Sequence, residues 1–136
     1  NTNTVITHSV GGSYYPFNSL SITPALSFSQ TNNEDTWQDY EYTSKNSSLS
    51  VSYKPSKMPF SINTYLSYDE YLSNDGITDS DSIYGVLSIE RRFKDGENGQ
   101  HTFSLELENY NYRDHVFSSS TSNDTFVGVF WRWTER

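Results

Sequence analysis

Hydrophobic and polar residues alternate along this chain with a period of two, and helical spacing is nearly absent. From Ser19 to Ser29, one set of alternate positions reads Leu20, Ile22, Pro24, Leu26 and Phe28, and the other holds serine, threonine and alanine. Successive strand side chains point to opposite sides, so this segment has one greasy face and one wet face. The pattern recurs at Leu49–Val51–Tyr53, at Phe60–Ile62–Thr64–Leu66–Tyr68 and at Ile83–Gly85–Leu87–Ile89. It recurs again at Phe103–Leu105–Leu107 and at Val127–Val129–Trp131–Trp133, and a weaker version lies around Thr4 to Tyr15. Seven strands are predicted, at 3–15, 19–30, 47–55, 59–71, 82–94, 100–112 and 123–134. Several exceed the ~5–6 residues usual in soluble sheets and reach the ~9–11 residues of a tilted membrane strand. The expected fold class is all-β, antiparallel and up-and-down, in a single unit over 1–136.

The connections sort by length. Those around Pro16–Asn18, Lys54–Pro59 and Lys94–Gly99 are short, whereas Gln30–Asn46, Leu72–Ser82 and Arg113–Ser122 read as longer polar loops. Short and long alternate, so each kind gathers at its own end of the sheet. Aromatics gather at the ends too. Tyr14, Tyr15, Phe17, Tyr53, Phe60, Phe93, Phe103, Trp131 and Trp133 lie toward the short turns. Phe28, Tyr68, Tyr71, Tyr84, Tyr110, Tyr112 and Phe126 lie toward the long loops, with Leu, Ile and Val between. Rings with an apolar body and a polar tip settle at water–lipid boundaries, which predicts two girdles.

Composition narrows the classes. Only 33% of residues are hydrophobic, yet 16% are aromatic, which a disordered chain lacks. A net charge of −8 excludes a nucleic-acid partner, because phosphate binding needs a basic face. There is no cysteine, hence no disulfide or thiolate site, and no apolar run long enough for a transmembrane helix. No signal peptide is visible and the first residue is Asn1, as in a mature protein or a fragment.

With these features the chain resembles the bacterial outer-membrane β-barrel class over nearly all its length. Val129-Phe130-Trp131-Arg132-Trp133 is similar to the terminal assembly signal of that class, although Thr134-Glu135-Arg136 follow it. The resemblance implies an outer-membrane location, short turns on the periplasmic side, lipid as the partner of the greasy face, and an even strand number. A first strand that descends from the long-loop end then implies at least one ascending strand upstream, or completion by another chain. The expected role is a pore, export channel or membrane scaffold with a polar lumen.

Candidate chemistry is sparse. Lys54, Glu90, Arg92, Glu106, Glu108 and Arg132 are expected to line the lumen, where a charged belt tunes solute selectivity or pairs across strands to hold register. Asp75, Asp79 and Asp81 bring oxygen ligands to one loop, as calcium prefers, but without EF-hand order; acidic loops are more often simply solvated. Asn33, Glu34, Asp35 and Asp39, interleaved with Trp37, Tyr40 and Tyr42, form a polar loop suited to a surface ligand. His8, His101 and His115 are widely separated and no serine sits in a nucleophile elbow, so no catalytic residue and no cofactor is expected. Two alternatives stand beside the barrel. One is a soluble β-sandwich binding carbohydrate or protein through its long loops. The other is an outer-membrane enzyme with His115 set against Asp114 or Asp124.

Overall fold

The structure is a computed structural model that describes residues 2–34, 39–95 and 99–135. Eight strands follow one another: β1 (Thr2–Gly11), β2 (Tyr14–Phe17), β3 (Leu20–Glu34), β4 (Asp39–Tyr53), β5 (Phe60–Ser73), β6 (Asp79–Asp95), β7 (Gly99–Asp114) and β8 (Ser122–Glu135). They form one antiparallel sheet in the order β1-β3-β4-β5-β6-β7-β8, with β2 also paired to β3. The sheet is open: β1 and β8 are its edges and do not pair with each other.

Strands β1 and β2 are one predicted strand, interrupted opposite Pro24. Gly12 N–H donates to Pro24 O at 3.2 Å, so this backbone side of Pro24 faces the edge strand. In such a pair each residue both donates and accepts, and proline has no N–H to return. The ladder breaks there, while the opposite side of β3 pairs with β4 without a gap from Leu20↔Tyr53 to Glu34↔Asp39. Seven rungs are therefore built from eight strands.

Strands run farther toward the loop end than the alternation predicts. Most of the expected Gln30–Asn46 loop is paired strand, from Gln30↔Thr43 to Glu34↔Asp39, and the remainder, with Trp37 and Asp35, lies outside the described residues. The Leu72–Ser82 loop shrinks to residues 74–78 and the Arg113–Ser122 loop to 115–121. Both faces are polar in these extensions, so hydropathy gives no strand signal. Cross-strand polar pairs hold them instead: Gln30 Nε2 donates to Glu41 Oε1 at 2.6 Å, and Asn46 Nδ2 to Asp69 Oδ1 at 2.6 Å.

No hydrophobic side chain is buried among the described residues. The six buried polar side chains are Ser61, Ser67, Ser73, Ser80, Ser82 and Thr102. All six lie on the face opposite Leu66, Ile83 and Leu105, so the polar face shields its small hydroxyls while the apolar face stays open.

Candidate functional site

The pairing register collects the greasy positions of every strand onto one surface. One row across the sheet reads Leu20, Tyr53, Ile62, Ile89, Leu105 and Val129; the next reads Ile22, Val51, Thr64, Leu87, Leu107 and Val127. No second layer of the described residues covers them. Leu66 remains 47% and Val129 77% accessible.

This apolar band crosses the hydrogen-bond rows obliquely. On β3 it runs from Leu20 to Phe28, centred on Pro24, and the row through Pro24 continues as Leu49, Leu66, Gly85, Asn109 and Thr125. On β5 the band centres on Thr64, two residues from Leu66. On β6 (Ile83–Phe93) its centre is Ser88, three from Gly85; on β7 it is Leu105, four from Asn109. On β8 (Val127–Trp133) the centre is Phe130, five from Thr125 after five strand steps from β3. On β4 (Leu49–Tyr53) the centre is Val51, two from Leu49, so over the five steps the drift averages one residue per strand toward the short turns. With ~3.3 Å per residue and ~4.8 Å between strands, a level band then requires strands tilted by about 35°. On β3 the band spans 28 − 20 = 8 residue steps, hence ~26 Å along the strand and ~22 Å in height at that tilt.

The band has marked borders. At the short-turn end, rings meet on the apolar face: Phe17–Tyr53 at 6.5 Å, Tyr53–Phe60 at 6.1 Å and Phe93–Phe103 at 5.8 Å between centroids. Arg91 lies over Phe93 at 4.7 Å, and Trp131 stacks on His101 at 5.8 Å while donating Nε1–H to His101 Nδ1 at 3.2 Å. At the loop end the apolar face gives way to charge and amide. Lys45 Nζ pairs with Glu70 Oε1 at 2.8 Å, and Asn109 Nδ2 donates to Asn123 Oδ1 and Thr125 Oγ1, both at 3.0 Å. The expected upper girdle is corrected: of its members only Phe28 and Tyr68 share the apolar face. Tyr71, Tyr84, Tyr110, Tyr112 and Phe126 alternate with that face and stand on the polar one. Their height along the strand is visible in the sequence; the face follows from residue parity.

The polar face brings together five of the six charged residues singled out above. Glu90, Arg92, Glu106, Glu108 and Arg132 lie on it, on β6, β7 and β8. Arg92 Nε donates to Glu90 Oε1 at 2.9 Å, and Arg92 and Arg132 flank Thr102, which is only 3% accessible. Lys54 sits apart at the β4–β5 turn, its N–H bonded to Ser19 O at 2.7 Å, beside a cleft that Arg92 also borders. The carboxylates lie toward mid-sheet and the cations toward the short turns.

Asp75 lies in the 74–78 turn and Asp79 and Asp81 on β6, and the three are not gathered on one point. Asp75 Oδ1 accepts from Ser73 Oγ at 2.5 Å and from Ile77 N–H at 3.0 Å, bonds that hold its carboxyl below the usual range and close the turn at Gly76, whose φ is +71°. Asp81 Oδ2 meets His115 Nε2 at 2.6 Å, which raises the His115 pKa above 6.5. Among the described residues, no group of three or more acidic or histidine side chains is placed to hold a metal. His115 thus faces Asp81 rather than Asp114 or Asp124; Asp114 Oδ1 accepts from the N–H groups of Val116 and Phe117 at 2.9 and 2.7 Å.

The chain matches no protein-family description, no curated protein and no solved structure at a significant level.

Proposed function

We propose that this chain is part of an outer-membrane β-barrel that forms a pore, export channel or membrane scaffold and performs no covalent chemistry. One observation carries the reading: a continuous apolar band, uncovered by protein, that runs oblique to the hydrogen-bond rows. A planar slab of hydrocarbon cutting tilted strands demands such a slope, and about 35° meets the ~35–45° tilt of membrane barrels. The band's ~22 Å height on β3 compares with the ~25 Å lipid-facing belt of that class. Rings line its lower border, and an ion pair and amides mark the upper one. The Ser/Thr-rich face, with its Glu and Arg belt, then borders water in the lumen, as polar residues do in wide barrels.

Membrane closure needs more strands than these seven rungs. In lipid each unpaired peptide group costs several kcal/mol, so neither β1 nor β8 can remain an edge. Both run from the loop end to the short-turn end. Antiparallel closure therefore takes an odd number of further strands, from a segment outside these residues or from another chain.

The test is reconstitution. The chain should need detergent or vesicles to stay monodisperse, and vesicles should protect its strands from protease. A monodisperse, sheet-rich chain in plain buffer would overturn the proposal.

A further inference from the structure

The tyrosines that face the polar side delimit a place that none of the preceding roles uses. At the loop end of β3 to β7, Thr31, Tyr42, Ser44, Tyr71, Ser80 and Tyr112 line a cleft of about 480 Å³, within the ~300–1,000 Å³ range of small-molecule sites. Register explains the grouping. Tyr71 pairs directly with Ser44 on one side and Ser80 on the other, while Tyr42 lies diagonally from Tyr71 and Tyr112 diagonally from Ser80. Serine side chains are short, so the hydroxyls form a floor between projecting rings. Ser80 is buried, whereas Tyr42 is 44% and Tyr71 49% accessible. Tyr40 stacks on Tyr42 at 6.4 Å and 17°, prolonging the aromatic surface toward the loop end. Toward mid-sheet the same face continues through Tyr112, Tyr110 and the Tyr65–Tyr84 pair at 6.1 Å.

Charge then selects the ligand. No Asp, Glu, Lys, Arg or His lines the cleft. On the cleft's own face, Asp69 lies two residues from Tyr71 and Asp114 pairs directly with Ser80; Asp69 accepts from Asn46 at 2.6 Å and Asp114 from the backbone N–H groups of Val116 and Phe117. Arg92 and Arg132 stand at the opposite end of this face, and Lys45 is on the other face altogether. An anionic solute finds no cation here, and the two carboxylates at the border are already held by neutral N–H donors, with acceptor capacity left for a hydroxyl. What the cleft offers is flat, electron-rich ring faces bordered by hydroxyls that both donate and accept. A pyranose is the complement: its C–H faces are apolar and weakly positive, and its rim is all hydroxyl.

We infer that this cleft binds a neutral saccharide, with Tyr42 and Tyr71 stacking on sugar rings and Ser44 and Ser80 bonding their hydroxyls. The inference rests on the proposed function only in taking the polar face to be wetted.

The test uses the full chain in detergent micelles, titrated calorimetrically with neutral hexasaccharides (gluco-, manno-, xylo- and galacto-oligomers), a hexagalacturonate and a chitosan hexamer. At least one neutral oligomer should bind, more tightly than the charged ones. Tyr42→Ala with Tyr71→Ala should weaken it roughly ten-fold, as the loss of two stacked rings implies. Tyr42→Phe with Tyr71→Phe, which keeps the rings, should restore most of the affinity, and Tyr68→Ala on the apolar face should change nothing. Circular dichroism of each variant separates lost binding from lost folding. The inference falls if no neutral oligomer binds, if a charged one binds best, or if the double alanine variant binds like the parent. Vesicle insertion measured on the same preparations keeps the two ideas apart: insertion without saccharide binding removes only the cleft, and binding without insertion removes only the membrane.

Discussion

Ser104 and Leu105 are neighbours on β7 that meet opposite surroundings. Leu105 is the centre of the apolar stretch on its strand, while Ser104 pairs with Glu90 and Phe130 on the polar face. Leu105→Arg should block vesicle insertion, at a cost of ~2–4 kcal/mol for a charge at the bilayer midplane. Ser104→Arg should insert like the parent; equal damage from both would mean that both faces are covered. Gly128 makes a different point. A side chain here would come within 2.6 Å of the Phe130 ring and 2.8 Å of Phe126, which lie two residues away on the same face. Gly128→Val should displace those rings and destabilise the sheet by about 1–3 kcal/mol, measured by urea unfolding in micelles. His115 carries the pH dependence. Its pairing with Asp81, aided by Asp79 and opposed by Arg113, raises its pKa, so the charged ring is favoured in the folded state. The tether of the β7–β8 connection to β6 is then complete below pH ~6.5 and is lost as pH rises through the raised value. Amide exchange of residues 115–117 should quicken across that upper window in the parent and show no such step in His115→Gln.

Among the strands, Pro24 shows how one residue shapes an element without breaking it. Its missing donor faces the edge, so β3 keeps every bond to β4 and only the edge strand is divided. Pro24→Ala returns an N–H opposite Gly12 O. It should close the gap between β1 and β2, slow the exchange of nearby edge amides, and add roughly 0.5–1.5 kcal/mol. The sequence makes the strands and their two faces legible wherever Leu, Ile, Val or ring residues alternate with Ser and Thr. It fails where both faces are polar, as from Gln30 to Asn33 and from Tyr40 to Asn46, because periodicity vanishes although amide and carboxylate pairs still hold the ladder. The ends of β5, β6 and β7 were hidden in the same way. Height along the strand places Tyr71, Tyr84, Tyr110 and Tyr112 in a girdle, whereas their parity sets them on the polar face. The oblique band was beyond reach altogether, since it exists only once each strand's register with its neighbour is known.

Over the whole molecule, one sheet with no buried hydrophobic side chain among the described residues cannot derive its stability from a core of its own. Whatever covers Leu66, Leu107 and Val127 supplies the driving force that a second layer supplies in a soluble protein. Withdrawal of detergent should therefore cause association through this face. Light scattering should record that growth, and the vesicle-inserted chain should be spared it. A drift of one residue per strand also restricts what can be completed. Side chains alternate, so a slip by an odd number of residues joins the wet side of one edge to the greasy side of the next. Bent into a ring at this slope, the seven rungs alone would accumulate a slip of seven and meet inside-out. In the proposed barrel, an odd number of further strands makes that slip even and supplies the reversed direction that β1 and β8 both lack, so handedness of face and direction of chain set the same condition on closure.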